Sequence, residues 1–105
     1  MSIVWRSKVW IDYMKTTREQ VYQAIDSERA YQEQRWHGDD QEGQAGHSLE
    51  AWLVYIKDYT EEALHTLSRE SYKTANDKAI DSLRKIAGLA VAAMEEHGTI
   101  TRWNK

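Results

Sequence analysis

Apolar residues recur at helical spacing in three stretches of this chain and alternate in one. Side chains spaced three or four residues apart share a face of an α-helix, whereas alternating ones share a face of a strand. Between Ile3 and Tyr13 the positions Ile3, Trp5, Val9, Ile11 and Tyr13 alternate, with Val4 and Trp10 as interruptions. This predicts an extended N-terminal arm or edge strand within residues 1–16. A lone strand must pair or pack with something, for instance a second subunit.

Thr16 and Thr17 follow, each with an acid or amide three residues on (Glu19, Gln20), the signature of a capping box. The first helix is expected from Arg18 to Trp36, with Val21, Ala24, Ile25 and Tyr31 as its apolar positions and Glu28 set between Ile25 and Tyr31. His37 to Gly46, HGDDQEGQAG, has no apolar anchor and reads as a loop. Ser48 is a good N-cap for a second helix, whose stripe is Leu49, Trp52, Leu53, Ile56, Ala63, Leu64 and Leu67. Ser68 to Thr74 reads as a connection. A third helix is expected from Ala75 or Asn76 to His97, ended by Gly98, with a broad stripe of Ile80, Leu83, Ile86, Ala87, Ala90, Val91 and Met94. Its small residues allow a neighbour to approach closely. The expected fold is all-α: one domain, a compact bundle of three main helices with an extended N-terminal arm.

Composition narrows the classes. A chain of 105 residues supports one modest core. Five Trp and six Tyr without a Phe favour rings that meet a partner subunit or ligand, because both ring types carry a polar handle. With 14 Lys and Arg against 17 Asp and Glu, and no basic stripe, nucleic-acid binding is disfavoured. No apolar run is long enough to span a bilayer, and MSIVWRSKVW lacks the apolar core of a signal peptide, so a soluble, cytoplasmic protein without a membrane partner is expected. The absence of Cys removes disulfides and thiolate metal sites, and the four His show no metal-binding spacing.

The candidate chemistry lies in misplaced acid. Asp58, Glu61 and Glu62 stand within about one turn, and Glu28 interrupts an apolar stripe. Gathered carboxylates persist only when a cation, a proton or a basic side chain offsets their repulsion. Mg²⁺ is the leading candidate, with phosphate as its companion and Glu28 or Asp81 approaching from a neighbouring helix. The alternatives are a solvated acidic face with Lys57 and His65 as partners, and for Glu28 a salt bridge to Arg29, Arg35 or Arg84. Asp81 and Lys85 form either an intrahelical ion pair or, with Arg84, an edge of the pocket facing phosphate.

Three runs then carry a resemblance: ERAYQEQRW (Glu28 to Trp36), HSLEAWLVYIKDYTEEA (His47 to Ala63) and LRKIAGLAVAAMEEHG (Leu83 to Gly98). Together they resemble small MazG-like proteins, many from phages and prophages, related to the all-α nucleoside triphosphate pyrophosphohydrolases. The likeness covers about residues 18–103 and is one of pattern. It implies an EExxE helix and a later ExxD helix holding Mg²⁺, a metal-bound water that releases pyrophosphate, and a homodimer or dimer of dimers. On this mapping Asp58 and Glu62 fall at acidic positions beside Glu61. The second motif falls on Ser82 and Lys85, with Asp81 one residue, about 100°, out of register.

The acid spacing and the resemblance together give an expected site with Asp58, Glu62 and Asp81 as metal ligands and Glu28 and Glu61 as catalytic carboxylates. Arg84, Lys85 and Trp36 would contact the substrate. Lys85 places a cation where an acidic ligand is expected. Two functions follow: a Mg²⁺-dependent pyrophosphohydrolase acting on a (d)NTP or modified nucleotide, or a non-catalytic phage or prophage accessory protein that sequesters a nucleotide signal or binds a host protein.

Overall fold

A computed structural model describes residues 16–37 and 46–103. These residues are all-helical, with three helices and no strand: α1 (Arg18–His37), α2 (Leu49–Arg69) and α3 (Tyr72–His97). The arm expected before Thr16 lies outside the described residues. None of the three helices is long and apolar enough to cross a membrane.

The helix starts follow local chemistry. At α1 the capping box is reciprocal: the Thr17 amide donates to Gln20 Oε1 at 2.9 Å, and the Gln20 amide donates to Thr17 Oγ1 at 3.1 Å. At α2 the Ser48 hydroxyl accepts from the Ala51 amide at 3.1 Å. Helix α3 begins at Tyr72, earlier than the apolar stripe predicts, because Glu70 and Ser71 alone reverse the chain and the Ala75 amide reaches back to the Ser71 carbonyl at 2.8 Å. Ala75 is buried, and Lys78 pairs with Glu70 at 2.9 Å. At the far end Gly98 takes a positive φ of 98°, open to glycine without a Cβ penalty, and its amide caps the Met94 carbonyl.

Helix α3 is central: α2 folds back along one side of it as an antiparallel hairpin, and α1 lies on another. The α2–α3 seam is apolar. Trp52, Leu89, Ala92 and Ala93 form its core, with Trp36 of α1 and Ile56 packed against it. The α1–α3 seam is polar, contrary to the sequence pattern. Val21, Ala24 and Tyr31 are exposed, while Glu28, Arg29 and Gln32 are buried. The reason is pairing: a charged group is tolerated in a seam when its partner enters with it.

Gly88 brings the two helices together. A Cβ there would stand 2.8 Å from Gln32 Nε2 and 2.8 Å from Glu28 Cγ. Alanine is the better helix former by about 1 kcal/mol, but overpacking a close seam costs about 1–3 kcal/mol. Gly88→Ala is therefore expected to lower stability by about 1 kcal/mol in urea denaturation, whereas an exposed helical Gly would be stabilised by the same change.

Candidate functional site

Between α1, α2 and α3 opens a cleft of about 320 Å³ lined by Glu28, Tyr31, Gln32, Arg35, Trp36, Tyr59, Lys85 and Leu89. That volume is at the small end of ligand pockets. One wall is the face of α1 on which Glu28, Gln32 and Trp36 stack at four-residue spacing. Lys85 and Leu89, likewise four apart, form the floor, and Tyr59 closes the α2 side. Aromatic rings thus stand at several points of the wall, with Arg35 and Lys85 as cations and Glu28 as the carboxylate.

Glu28 is 7% exposed, and its charge is answered from the neighbouring helix. Arg84 Nε donates to Glu28 Oε1 at 2.9 Å, and Gln32 Nε2 donates to Glu28 Oε2 at 3.3 Å. Arg84 also pairs with Asp81 at 2.6 Å, and Lys85 with Asp81 at 3.3 Å. Partial burial works to raise the Asp81 pKa, but the hydrogen bonds and charges of Arg84 and Lys85 outweigh it and hold the carboxyl below its ordinary value. The hydrogen bond to Glu28, with the one to Asp81, raises the Arg84 pKa against its own desolvation.

The sequence-predicted residues therefore separate into two groups. Glu28, Trp36 and Lys85 line the cleft, with Arg84 and Asp81 tied to them. Asp58, Glu61 and Glu62 are exposed on α2. Glu61 pairs with Lys57 at 3.2 Å; Asp58 and Glu62, four residues apart, make no ion pair among the described residues. Mg²⁺ needs several oxygens in near-octahedral array. Among the described residues no three His, Asp or Glu come together in that way, and an ion shared by Glu28 and Asp81 would have to displace Arg84.

Tyr31, Gln32, Arg35, Tyr59 and Leu89 were not singled out as site residues from the sequence. Gln32 had a signal, standing midway between Glu28 and Trp36 on one helical face. Tyr59 had one too, three residues after Ile56.

A second cluster fixes the entry to α2. Glu96 Oε1 accepts from Trp52 Nε1 at 2.8 Å and from the His47 amide at 3.2 Å, while His97 Nε2 meets the His47 carbonyl at 2.6 Å. The His47 ring stands edge-on to Trp52 and Tyr55, and Trp52 stacks obliquely on Trp36 at 5.8 Å. Gly46 leaves room for this clasp, since a Cβ there would collide with the Glu96 carboxylate.

The Trp52 hydrogen bond, then the His47 amide, depress the Glu96 pKa below its ordinary 4.5. A depressed carboxyl contributes stability that is present above its unfolded value and lost as pH falls through the folded one. Thermal melts from pH 6 to pH 3 should show wild-type stability falling below about pH 4.5, with a shallower fall in Glu96→Gln. Parallel curves for the two proteins would remove Glu96 from the acid response.

Comparison with protein-family models, with curated proteins and with solved structures gives no match to this chain.

Proposed function

We propose that this chain binds a nucleoside triphosphate or a related phosphorylated nucleotide in the cleft between its three helices. The observation that carries this is the convergence of Trp36 and Glu28 of α1 and Lys85 of α3 on one cleft of about 320 Å³ that Tyr59 of α2 also lines. A base would stack on Trp36 or a tyrosine ring. Lys85 and Arg35 would meet the phosphates, and Arg84 stands behind them, bonded to Glu28. The MazG-like pattern of residues 18–103 supports the same ligand class.

Of the two activities open to such a protein, sequestration is the better supported. Lys85 occupies a position where a metal-dependent homologue is expected to carry an acid, and Glu28 and Asp81 engage basic side chains. Turnover would instead recruit Asp58 and Glu62 on α2 to a Mg²⁺ brought with the nucleotide. Calorimetric titration with a panel of NTPs and dNTPs, with and without Mg²⁺, tests the reading. Saturable binding that Trp36→Ala weakens at least about 5-fold is expected, given a stacking contribution of about 1–3 kcal/mol. No binding of any nucleotide would overturn it. Mg²⁺-dependent pyrophosphate release, abolished by Glu62→Gln, would convert sequestration into hydrolysis.

A further inference from the structure

The apolar stripes of α2 and α3 are wider than the seam between them. Tyr59 turns toward the cleft, and α1 covers the flank of α3 that carries Arg84, Gly88 and Glu95. On the opposite flank Leu53, Leu64 and Leu67 of α2 run beside Ile80, Leu83 and Met94 of α3 by helical spacing. These six side chains are between 42% and 63% exposed. Together they make a patch comparable with the largest on an ordinary monomer, about 300–600 Å². A second apolar stretch of the same chain can meet it. Residues 1–15, which lie outside the described residues, hold two of the five Trp, Trp5 and Trp10, together with Ile3, Val4, Val9 and Ile11.

We infer that residues 1–15 dock on this α2–α3 flank of their own chain, with Ile3, Val4 and Trp5 seated against Leu53, Leu64 and Leu83. Reach, charge and tethering select that occupant. The capping box at Thr17 fixes where the segment joins α1. From Thr17 the way to Leu83 runs about 16 Å along α1 to Glu28 and about 10 Å for each of two helix widths, about 36 Å at the longest. Trp5 stands twelve residues before Thr17, an extended reach of about 40 Å. The segment carries Arg6, Lys8 and Lys15 against Asp12, whereas residues 16–105 hold eleven basic and sixteen acidic residues. A positive segment thus meets a negative body. Glu50 and Glu61, each exposed and three residues before a leucine of the flank, stand at its rim, although Glu61 also meets Lys57 at 3.2 Å. A short tether gives its segment an effective concentration in the millimolar range, far above that of a separate partner at micromolar concentration. The cleft lies on the other flank, so the inference stands independently of the nucleotide reading.

The chain has no Cys, which permits a direct test on the full chain. Ser2→Cys combined with Thr60→Cys, in the middle of the flank, is expected to close a disulfide within one chain on mild oxidation at about 1 μM. Closure should be at least about 10-fold faster than for Ser2→Cys combined with Glu62→Cys, on the cleft side of α2. Equal rates at the two positions, or linkage chiefly between chains, would overturn the inference. Thermal melts give a second readout: Trp5→Ser and Leu83→Ser should each lower Tm by about 4–8 °C, and the double substitution by little more than either, because both break the same contact. Additive shifts, or no shift in Trp5→Ser, would also overturn it.

Discussion

Lys85→Glu is expected to weaken nucleotide binding by about 100-fold or more, since a hydrogen bond to a charged group contributes about 1.5–3 kcal/mol and reversal adds repulsion. Lys85 is the floor of the cleft and its ammonium reaches Asp81 at 3.3 Å, so the change removes the phosphate's partner and sets two carboxylates side by side. Folding should be little affected, because Asp81 retains Arg84 at 2.6 Å and the Lys85 side chain is 40% exposed. Titration calorimetry with the tightest nucleotide of the panel, paired with a thermal melt, separates the two effects. Equal affinity in Lys85→Glu and wild type would remove the cleft from ligand binding.

Arg29→Ala is expected to cause a large loss of stability, about 2–3 kcal/mol, or roughly 10 °C in Tm for a chain of this size. Its guanidinium donates from Nε and Nη2 to Glu95 Oε1 at 3.0 and 2.6 Å, from Nη2 to Glu33 at 2.7 Å and from Nη1 to Gln32 at 3.2 Å. It also lies 5.8 Å from the centre of the Trp36 ring. Burial works against its charge, yet the pairing with Glu95 and Glu33 raises its pKa. The figure sits below that for a fully buried pair because both carboxylates are more than half exposed and screened. Arg29→Lys should recover less than half, as an ammonium cannot reproduce the fork of donors. A melt within about 2 °C of wild type would show that the apolar contact of Trp36 alone anchors α1.

Both predictions turn on α1, the helix least legible in the sequence. Its capping box was readable from Thr17 and Gln20 because the motif is local. Its buried face was not. The apolar pattern pointed to Val21, Ala24 and Tyr31, whereas the helix buries Glu28, Arg29 and Gln32. Those residues can be buried only because Arg84 and Glu95 stand opposite them, fifty-six and sixty-six residues away along the chain. For Glu28 the sequence left two roles open, ligand or ion pair, and the structure pairs it with Arg84. Asp81 and Lys85 form the intrahelical pair weighed among the alternatives.

Helix positions, caps at Thr17, Ser48 and Gly98, and the apolar stripes of α2 and α3 were determined by the sequence itself, since each depends on neighbours within about one turn. Only the tertiary structure decided which carboxylates meet which cations, that Lys85 rather than Glu62 is among the residues lining the cleft, and that one apolar flank of the hairpin is left uncovered by α1. The physical reason is range. A helix start is settled by hydrogen bonds within a few residues, but the protonation, pairing and burial of a charged side chain depend on groups that only folding brings within a few ångströms.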